Sequence, residues 1–420
     1  MSNIDYTSNS TSKSTTRQPS VYCSHCCNDD DDEKDATQFC QDCQLPLCDN
    51  HVTLHQQTQN TNNHSLVPVD QVSKDQLPDL LEQKEIDQNF DLSLVTEEVI
   101  DYIMMPFIDV KALHYLKCTN SQWKTKIEQY VNKSVPKFKF IAKFGSASSG
   151  NGQFNCPRFV MTDKQGNIYV SDFGNHRIQM FDSNGQWLKS IGSNGSGNGQ
   201  FNYTMGIAFN SKNHMFVADC VNGRIVQFDE NMQFIKVFGS EGNKNGQFQY
   251  PHGIAIDADD NIVVADYNNH RIQKFSKDGN WKQTIGKKGS GDGEFNIPWG
   301  VTVCKTIGRI FISDFWNHRI QVFNSDGKFL FKFGSEGSEN GQFQSPYGLA
   351  LSNCGRYLFI FDDLNHQIQL FNAMNGEFVK SYGSNGSNDG QFDYPIGICI
   401  SPSGQIIVSE NGNNRVQIFQ

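Results

Sequence analysis

Over the last two-thirds of the 420-residue chain the apolar positions come in runs of four to six residues. They are rich in Ile, Val and Phe and are broken by Gly, Asn and Asp, as in "GIAID", "NIVVAD", "RIQKF" and "WKQTIG". Runs of that length between turn-forming residues predict strands. They belong to a repeat. The element N-x-R-I-x-x-F, or a near variant, recurs with its Arg position at Arg177, Arg224, Arg271, Arg319, Gln367 and Arg415, at steps of 47, 47, 48, 48 and 48 residues. Each unit opens on a Gly-rich turn ending in G-[QE]-F, closing on Phe154, Phe201, Phe248, Phe295, Phe343 and Phe392. Four strands per unit and six units predict a mainly β fold, a six-bladed β-propeller of antiparallel meanders over residues 137–420.

The sixth unit is one strand short, because the chain reaches Gln420 just after "NRVQIF". The segment "FKFIAKFGS", Phe138–Ser146, matches the fourth-strand segments "QFIKVFGS" and "KFLFKFGS". It is therefore expected to complete the last blade and close the ring, which removes the two exposed edges an open array would keep.

Ahead of the propeller the period changes. Residues 71–136 carry apolar positions at helical spacing, Leu94, Val99 and Ile103, then Val110, Leu113, Leu116 and Ile127. Thr96 followed by acids starts a helix and Pro106 breaks the pattern, so short helices are expected and a long coiled coil is not. Residues 1–20 are Ser/Thr/Asn-rich, with no apolar segment to serve as a signal, and read as a disordered tail. No run of 18 or more apolar residues appears, so neither membrane spanning nor secretion is expected, and the cytoplasm is the expected compartment.

Charge divides the chain in the same place. Residues 1–136 hold 10 Lys and Arg against 21 Asp and Glu, whereas 137–420 hold 25 against 24. A nearly neutral propeller lowers the expectation of nonspecific nucleic-acid binding, which depends on cationic surface. Six of the twelve cysteines fall between Cys23 and Cys48. Clustered CxxC pairs with histidines behind them read as metal ligands in a reducing compartment. Cys23, Cys26, Cys40, Cys43, Cys48, His51, His55 and His64 supply eight S and N donors, enough for two tetrahedral Zn²⁺ ions. His25 and Cys27 compete with Cys26 for its place. A segment of about 45 residues with so few apolar positions needs such staples to fold.

Three family resemblances follow from these motifs. The repeat, with D-x-x-N-H-R-I-Q at Asp172–Gln179, Asp266–Gln273 and Asp314–Gln321, resembles the NHL repeat across all six units. That resemblance implies a rigid recognition platform for proteins or RNA, or a peptide substrate in one amidating enzymatic branch. The core "CQDCQLPLCDNH" with the trailing "HSLVPV" resembles a B-box zinc finger over residues 21–70. Its interleaved pattern implies one zinc on Cys23, Cys26, Cys48 and His51, and the other on Cys40, Cys43, His55 and His64. The acidic insert "NDDDDEKD" lengthens one spacing. Residues 92–130 resemble an F-box at Leu94, Glu98, Val99, Ile103, Leu113, Leu116, Cys118 and Trp123, without that family's opening Leu-Pro. This implies docking on a Skp-type adaptor of a cullin ligase through Leu94, Leu113, Leu116 and Trp123. The organisation is similar to tripartite-motif proteins, without a RING finger or long coiled coil.

The repeated Asp, Asn and Arg are expected to be structural, since one role must serve six blades. Function is sought where equivalent positions differ. The residue before the strand-opening glycine, or its counterpart in blade 1, runs Arg158, Met205, His252, Trp299, Tyr347 and Ile396, and the loop after each repeated Asp offers Phe173, Tyr267, Phe315 and Trp316. His252, Tyr267, Trp299, Phe315, Trp316 and Tyr347 are therefore expected to gather on one face over blades three to five as a binding group. The favoured function is a non-catalytic substrate-recognition component of an E3 ubiquitin ligase, with a protein target on the propeller. RNA binding by stacking aromatics is the alternative, and an amidating-lyase activity stands third, because the propeller histidines mostly occupy the repeated turn position.

Overall fold

The computed structural model describes residues 135–420 and, N-terminal to them, three short strands. Those strands form an antiparallel sheet in the order Pro46–Leu47, Gln38–Cys40, Leu66–Pro68. The side chains of Cys23, Cys26, Cys40, Cys43, Cys48, His51, His55 and His64, and the whole segment with Leu94, Leu113, Leu116 and Trp123, lie outside the described residues.

Residues 157–419, with one strand from residues 140–144, form the six blades of a β-propeller, each a four-stranded antiparallel meander. Blade 1 runs Pro157–Thr162, Ile168–Asp172, Arg177–Phe181 and Trp187–Ile191. The innermost strands of blades 2 to 6 are Thr204–Phe209, Pro251–Ile256, Pro298–Val303, Pro346–Leu351 and Pro395–Ile400. Each packs beside the next, and the sixth returns to the first. Closure occurs as the sequence predicts. Phe140–Phe144 pairs antiparallel with Arg415–Phe419, and Lys139 and Gln420 exchange backbone hydrogen bonds of 2.8 and 2.9 Å.

The alternation of each strand tells which layer it occupies. The second strands are buried throughout, whereas the outermost strands, such as Phe234–Phe238 and Phe329–Phe333, alternate half-buried and exposed. Between blades Ile, Val and Ala pack together with phenylalanine. The Phe of each G-[QE]-F turn is fully buried against the Phe that ends its blade's third strand, at centroid distances of 5.3 Å for Phe248 with Phe275 and 5.7 Å for Phe295 with Phe323. Phe238, from the blade before, closes on Phe275 at 5.3 Å. Tilted pairs of this kind suit the ring quadrupole, and they explain why 32 of 420 residues are Phe.

The inner ring needs small residues. At Gly253 an added Cβ would lie 2.7 Å from the Trp299 carbonyl oxygen and 2.9 Å from the Val301 nitrogen, both backbone of the next blade's innermost strand. Gly300 repeats this against Tyr347, at 2.5 Å from its carbonyl oxygen. Because neighbouring backbone cannot give way as a side-chain end can, Gly253→Ala is expected to cost about 2 kcal/mol or more and lower Tm by roughly 3–6 °C in a thermal melt.

Candidate functional site

In every blade a carboxylate ends the second strand, and blade 3 shows what it does. Asp266, fully buried, accepts hydrogen bonds from the Gln249 backbone N–H (2.8 Å), Asn269 Nδ2 (2.9 Å), Arg271 Nε (2.7 Å) and Gln273 Nε2 (3.1 Å). Arg271 then donates to the carbonyls of Asn243, Lys244 and Gln247, at 2.8–2.9 Å, and Asn269 donates to that of Gly242. The Gly-rich turn is thereby tied to the blade that follows it by charge-assisted bonds. Asp172 with Arg177, Asp219 with Arg224, Asp314 with Arg319 and Glu410 with Arg415 repeat the ion pair at 2.5–2.8 Å. Blade 5 substitutes Gln367, and Asp362 there is held by Asn365, Gln369 and two backbone N–H groups.

The histidine of the motif is also structural. His176, His270 and His318 each sit in the left-handed region, at φ 51 to 54°, closing a single 3-10 turn. His176 Nδ1 accepts from the Tyr203 N–H at 3.0 Å and His270 Nδ1 from the Ile297 N–H at 3.1 Å, while His318 Nδ1 donates to the Gln344 carbonyl at 2.7 Å. Each bond crosses to the next blade.

On this scaffold the differing positions share one end of the central channel. Arg158, Met205, His252, Trp299, Tyr347 and Ile396 each occupy the second place of an innermost strand, so they encircle the axis at one level. The six predicted aromatic positions do come together. His252 stacks on Tyr267 at 4.1 Å and meets Trp299 edge-on at 4.2 Å. Trp299 meets Tyr347 at 4.4 Å, Tyr347 meets Phe315 at 4.9 Å, and Phe315 meets Trp316 at 5.0 Å. They do not all face solvent. His252, Trp299 and Phe315 are buried, the last two in one core with Met205 and Ile254, whereas Trp316 is 55% exposed. The buried three cap the ring, and Trp316 offers surface. Leu364 at 51% and Tyr394 at 46% extend the exposed patch into blades 5 and 6.

Beside that patch lies a cavity of about 490 Å³ whose walls include Arg158, Phe315, Trp316, Tyr347, Asp363 and Tyr394. Arg158 and Asp363 face it together with Glu336. The Arg158 guanidinium lies over the Phe173 ring at 4.8 Å and, among the described residues, makes no ion pair and finds no hydrogen-bond acceptor for its buried Nε. Among the same residues Asp363, 4% exposed, has no hydrogen-bond partner for Oδ1, and His252 Nδ1 and Trp299 Nε1 are likewise buried without one. Burial pushes the Asp363 carboxyl up to about 7. Arg158 opposes that shift, and Asp362 and Asp393 add to it. Burial also holds His252 well below the usual imidazole range, so its ring is neutral at neutral pH. The aromatic criterion passed over Asp363. The place after the repeated acid runs Phe173, Cys220, Tyr267, Phe315, Asp363 and Asn411, and comparing it blade by blade exposes the lone acid. Among the described residues no group of three or more His, Cys, Asp and Glu is placed to hold a metal ion.

Comparison with known proteins agrees on the repeat. Residues 154–181, 248–275, 295–323 and 392–419 match the model of the NHL repeat, so the chain carries NHL repeats. The unmatched blades carry Gly223 in the His place of blade 2 and Gln367 in the Arg place of blade 5, while blade 6 is matched although it carries Glu410 in the Asp place and Asn414 in the His place. A human protein named NHL repeat-containing protein 3 is 40% identical over 52 residues, or 12% of this chain, and that match spans 15% of the human protein's length. Among solved structures, a streptogramin B lyase aligns over 66% of this chain and 96% of its own, at 15% identity and a TM-score of 0.48. An auxiliary nutrient binding protein from Bacteroides thetaiotaomicron aligns over 64% and 69%, at 12% identity and a TM-score of 0.49.

Asp363 makes stability depend on pH in a defined direction. Its carboxyl keeps a proton up to about pH 7 when folded and releases it near pH 4 when unfolded, so stability falls as pH rises between the two. Asp363→Asn does not titrate. Relative to wild type the variant is expected to gain about 2–4 kcal/mol between pH 4.5 and pH 8, read as a growing Tm difference; a constant difference would contradict the assignment.

Proposed function

We propose that the protein is a non-catalytic binding scaffold that acts as a substrate-recognition component of an E3 ubiquitin ligase in the cytoplasm. The propeller face holding Trp316, Leu364 and Tyr394 receives a protein target. The segment 92–130, through Leu94, Leu113, Leu116 and Trp123, recruits a Skp-type adaptor, alone or with a two-zinc B-box on Cys23, Cys26, Cys40, Cys43, Cys48, His51, His55 and His64. The observation that carries the reading is the exposed apolar group at one end of a rigid ring. Three large apolar side chains at 46–55% exposure lie beside a cavity, in loops whose backbones the repeated carboxylate network fixes. Contiguous exposed apolar surface of this kind marks interaction sites.

Protein is favoured over RNA because residues 137–420 are nearly neutral, 25 cationic against 24 acidic side chains, and Glu336 and Asp363 both line the cavity. Phosphate recognition would ask for a cationic surface there. Among the described residues no helix is long and apolar enough to cross a membrane.

Two measurements test the assembly. Affinity capture of the full chain is expected to bring down a Skp-type adaptor, at least tenfold less with Leu113→Ala/Trp123→Ala, and a target protein that is lost with Trp316→Ala/Leu364→Ser/Tyr394→Ser while the adaptor is kept. Absence of the adaptor, together with an RNA gel shift that the face variant abolishes, would favour the RNA reading instead. Metal analysis of the purified chain is expected to give two zinc ions, and Cys40→Ser about one.

A further inference from the structure

We propose that the mouth of the central channel is a subsite for a single carboxylate of a protein partner, received by the Arg158 guanidinium between the aromatic wall and Asp363. The proposal rests on the reading of this face as protein-binding and adds the chemistry of the anchoring group.

Arg177, Arg224, Arg271, Arg319 and Arg415 each pair with a buried acid and donate to backbone carbonyls. Arg158 does neither among the described residues. It takes the place where the other blades carry Met205, His252, Trp299, Tyr347 and Ile396, and its backbone carbonyl is fixed by the Ser409 hydroxyl of blade 6 at 2.5 Å. Its guanidinium is stacked on Phe173, which orients the planar fork without using its N–H donors. A partly buried cation without a counter-ion is costly unless something pairs with it. Among the described residues no acid lies within ion-pair distance of it, although Asp363 lines the same cavity.

Asp363 shares the cavity wall with Arg158. Burial raises its carboxyl toward neutrality, so below that range it adds a hydroxyl donor. One guanidinium with free N–H donors beside one protonated carboxyl selects an acceptor group bearing one negative charge. A planar carboxylate matches the guanidinium fork. A phosphate dianion would meet Asp363 and Glu336 on the cavity wall, with Asp362 and Asp393 behind. Phe315, Trp316, Tyr347 and Tyr394 provide an apolar wall for the rest of the residue that carries the carboxylate.

The proposal fixes a sign for pH. The charged or titratable groups facing Asp363 are Arg158, Tyr347, Asp362 and Asp393, with His318, Glu336 and Tyr394 on the cavity wall. A bound carboxylate favours the protonated Asp363, so binding takes up a proton and weakens as pH rises from 6 to 8, by about tenfold per unit at most once above the carboxyl's own value.

The test is saturation-transfer NMR titration of the full chain with three probes. N-acetyl-phenylalanine mimics a chain terminus, N-acetyl-aspartate N-methylamide mimics an acidic side chain, and N-acetyl-phenylalaninamide is the uncharged control. At pH 6 one or both carboxylates are expected to bind at least tenfold tighter than the amide, and which one does so identifies the source. Arg158→Met, checked by its Tm, is expected to lose that preference, while Asp363→Asn keeps binding and loses the pH dependence. Equal binding of amide and carboxylate, retention in Arg158→Met, or stronger competition by inorganic phosphate would overturn the subsite. The two readings fail separately. If neither carboxylate binds while the Trp316/Leu364/Tyr394 variant still loses its target, the subsite is wrong and the protein-binding face stands.

Discussion

The buried carboxylate at the end of each second strand is the interaction on which the molecule depends. In one position it satisfies an Asn, an Arg and a Gln side chain together with the backbone of the G-[QE]-F turn. An ion so deeply buried would be a liability if any partner were missing. With all of them present it locks the Gly-rich turn, the 3-10 turn and the third strand into one rigid corner. Six corners on this plan place six loop ends around one axis: five have the Arg, blade 5 instead holds Asp362 through Asn365, Gln369 and two backbone N–H groups, and blade 2 carries Val226 in the Gln place. The motif histidines then stitch corner to corner, by an accepted bond at His176 and His270 and a donated one at His318.

Rigidity at the corners is what makes variation at the mouth usable. The loops gain their position from bonds made by the repeated side chains, so the residues between those side chains are free to differ without loss of the fold. Blade 4 uses that freedom for Trp316, blade 5 for Asp363 and Leu364, and blade 6 for Tyr394. The inner strands do the same one layer down, where glycines let the backbones close and the preceding residue points to the axis. The arrangement separates work that single-site enzymes combine: the charged pairs hold the frame, and the departures from the repeat supply the surface.

The opening aromatic expectation divides along this line. Equivalence between blades correctly gathered His252, Tyr267, Trp299, Phe315, Trp316 and Tyr347 at one end of the channel, because register fixes the height of each residue along the axis. It could not separate wall from surface. His252 is buried between Tyr267 of its own blade and Trp299 of blade 4, Trp299 between His252 of blade 3 and Tyr347 of blade 5, and Phe315 beside Trp299, Trp316 and Tyr347. Trp316, one position further along the same turn, has no ring neighbour beyond Phe315 among the described residues.

By itself the sequence determined the number of blades, their strand order, a closing strand within Phe138–Ser146 and the shared role of the repeated Asp, Asn and Arg. Each of these is a periodic property, and a period of 47 to 48 residues is legible without coordinates. Only the tertiary structure brought Arg158 of blade 1 and Asp363 of blade 5 to the wall of one cavity without pairing them. Ring closure sets blade 1 beside blade 6 and one blade away from blade 5, so residues far apart in the chain meet across the axis. Whether they touch, and what each is left to bind, depends on side-chain reach and on the packing of intervening blades, for which a linear pattern carries no signal.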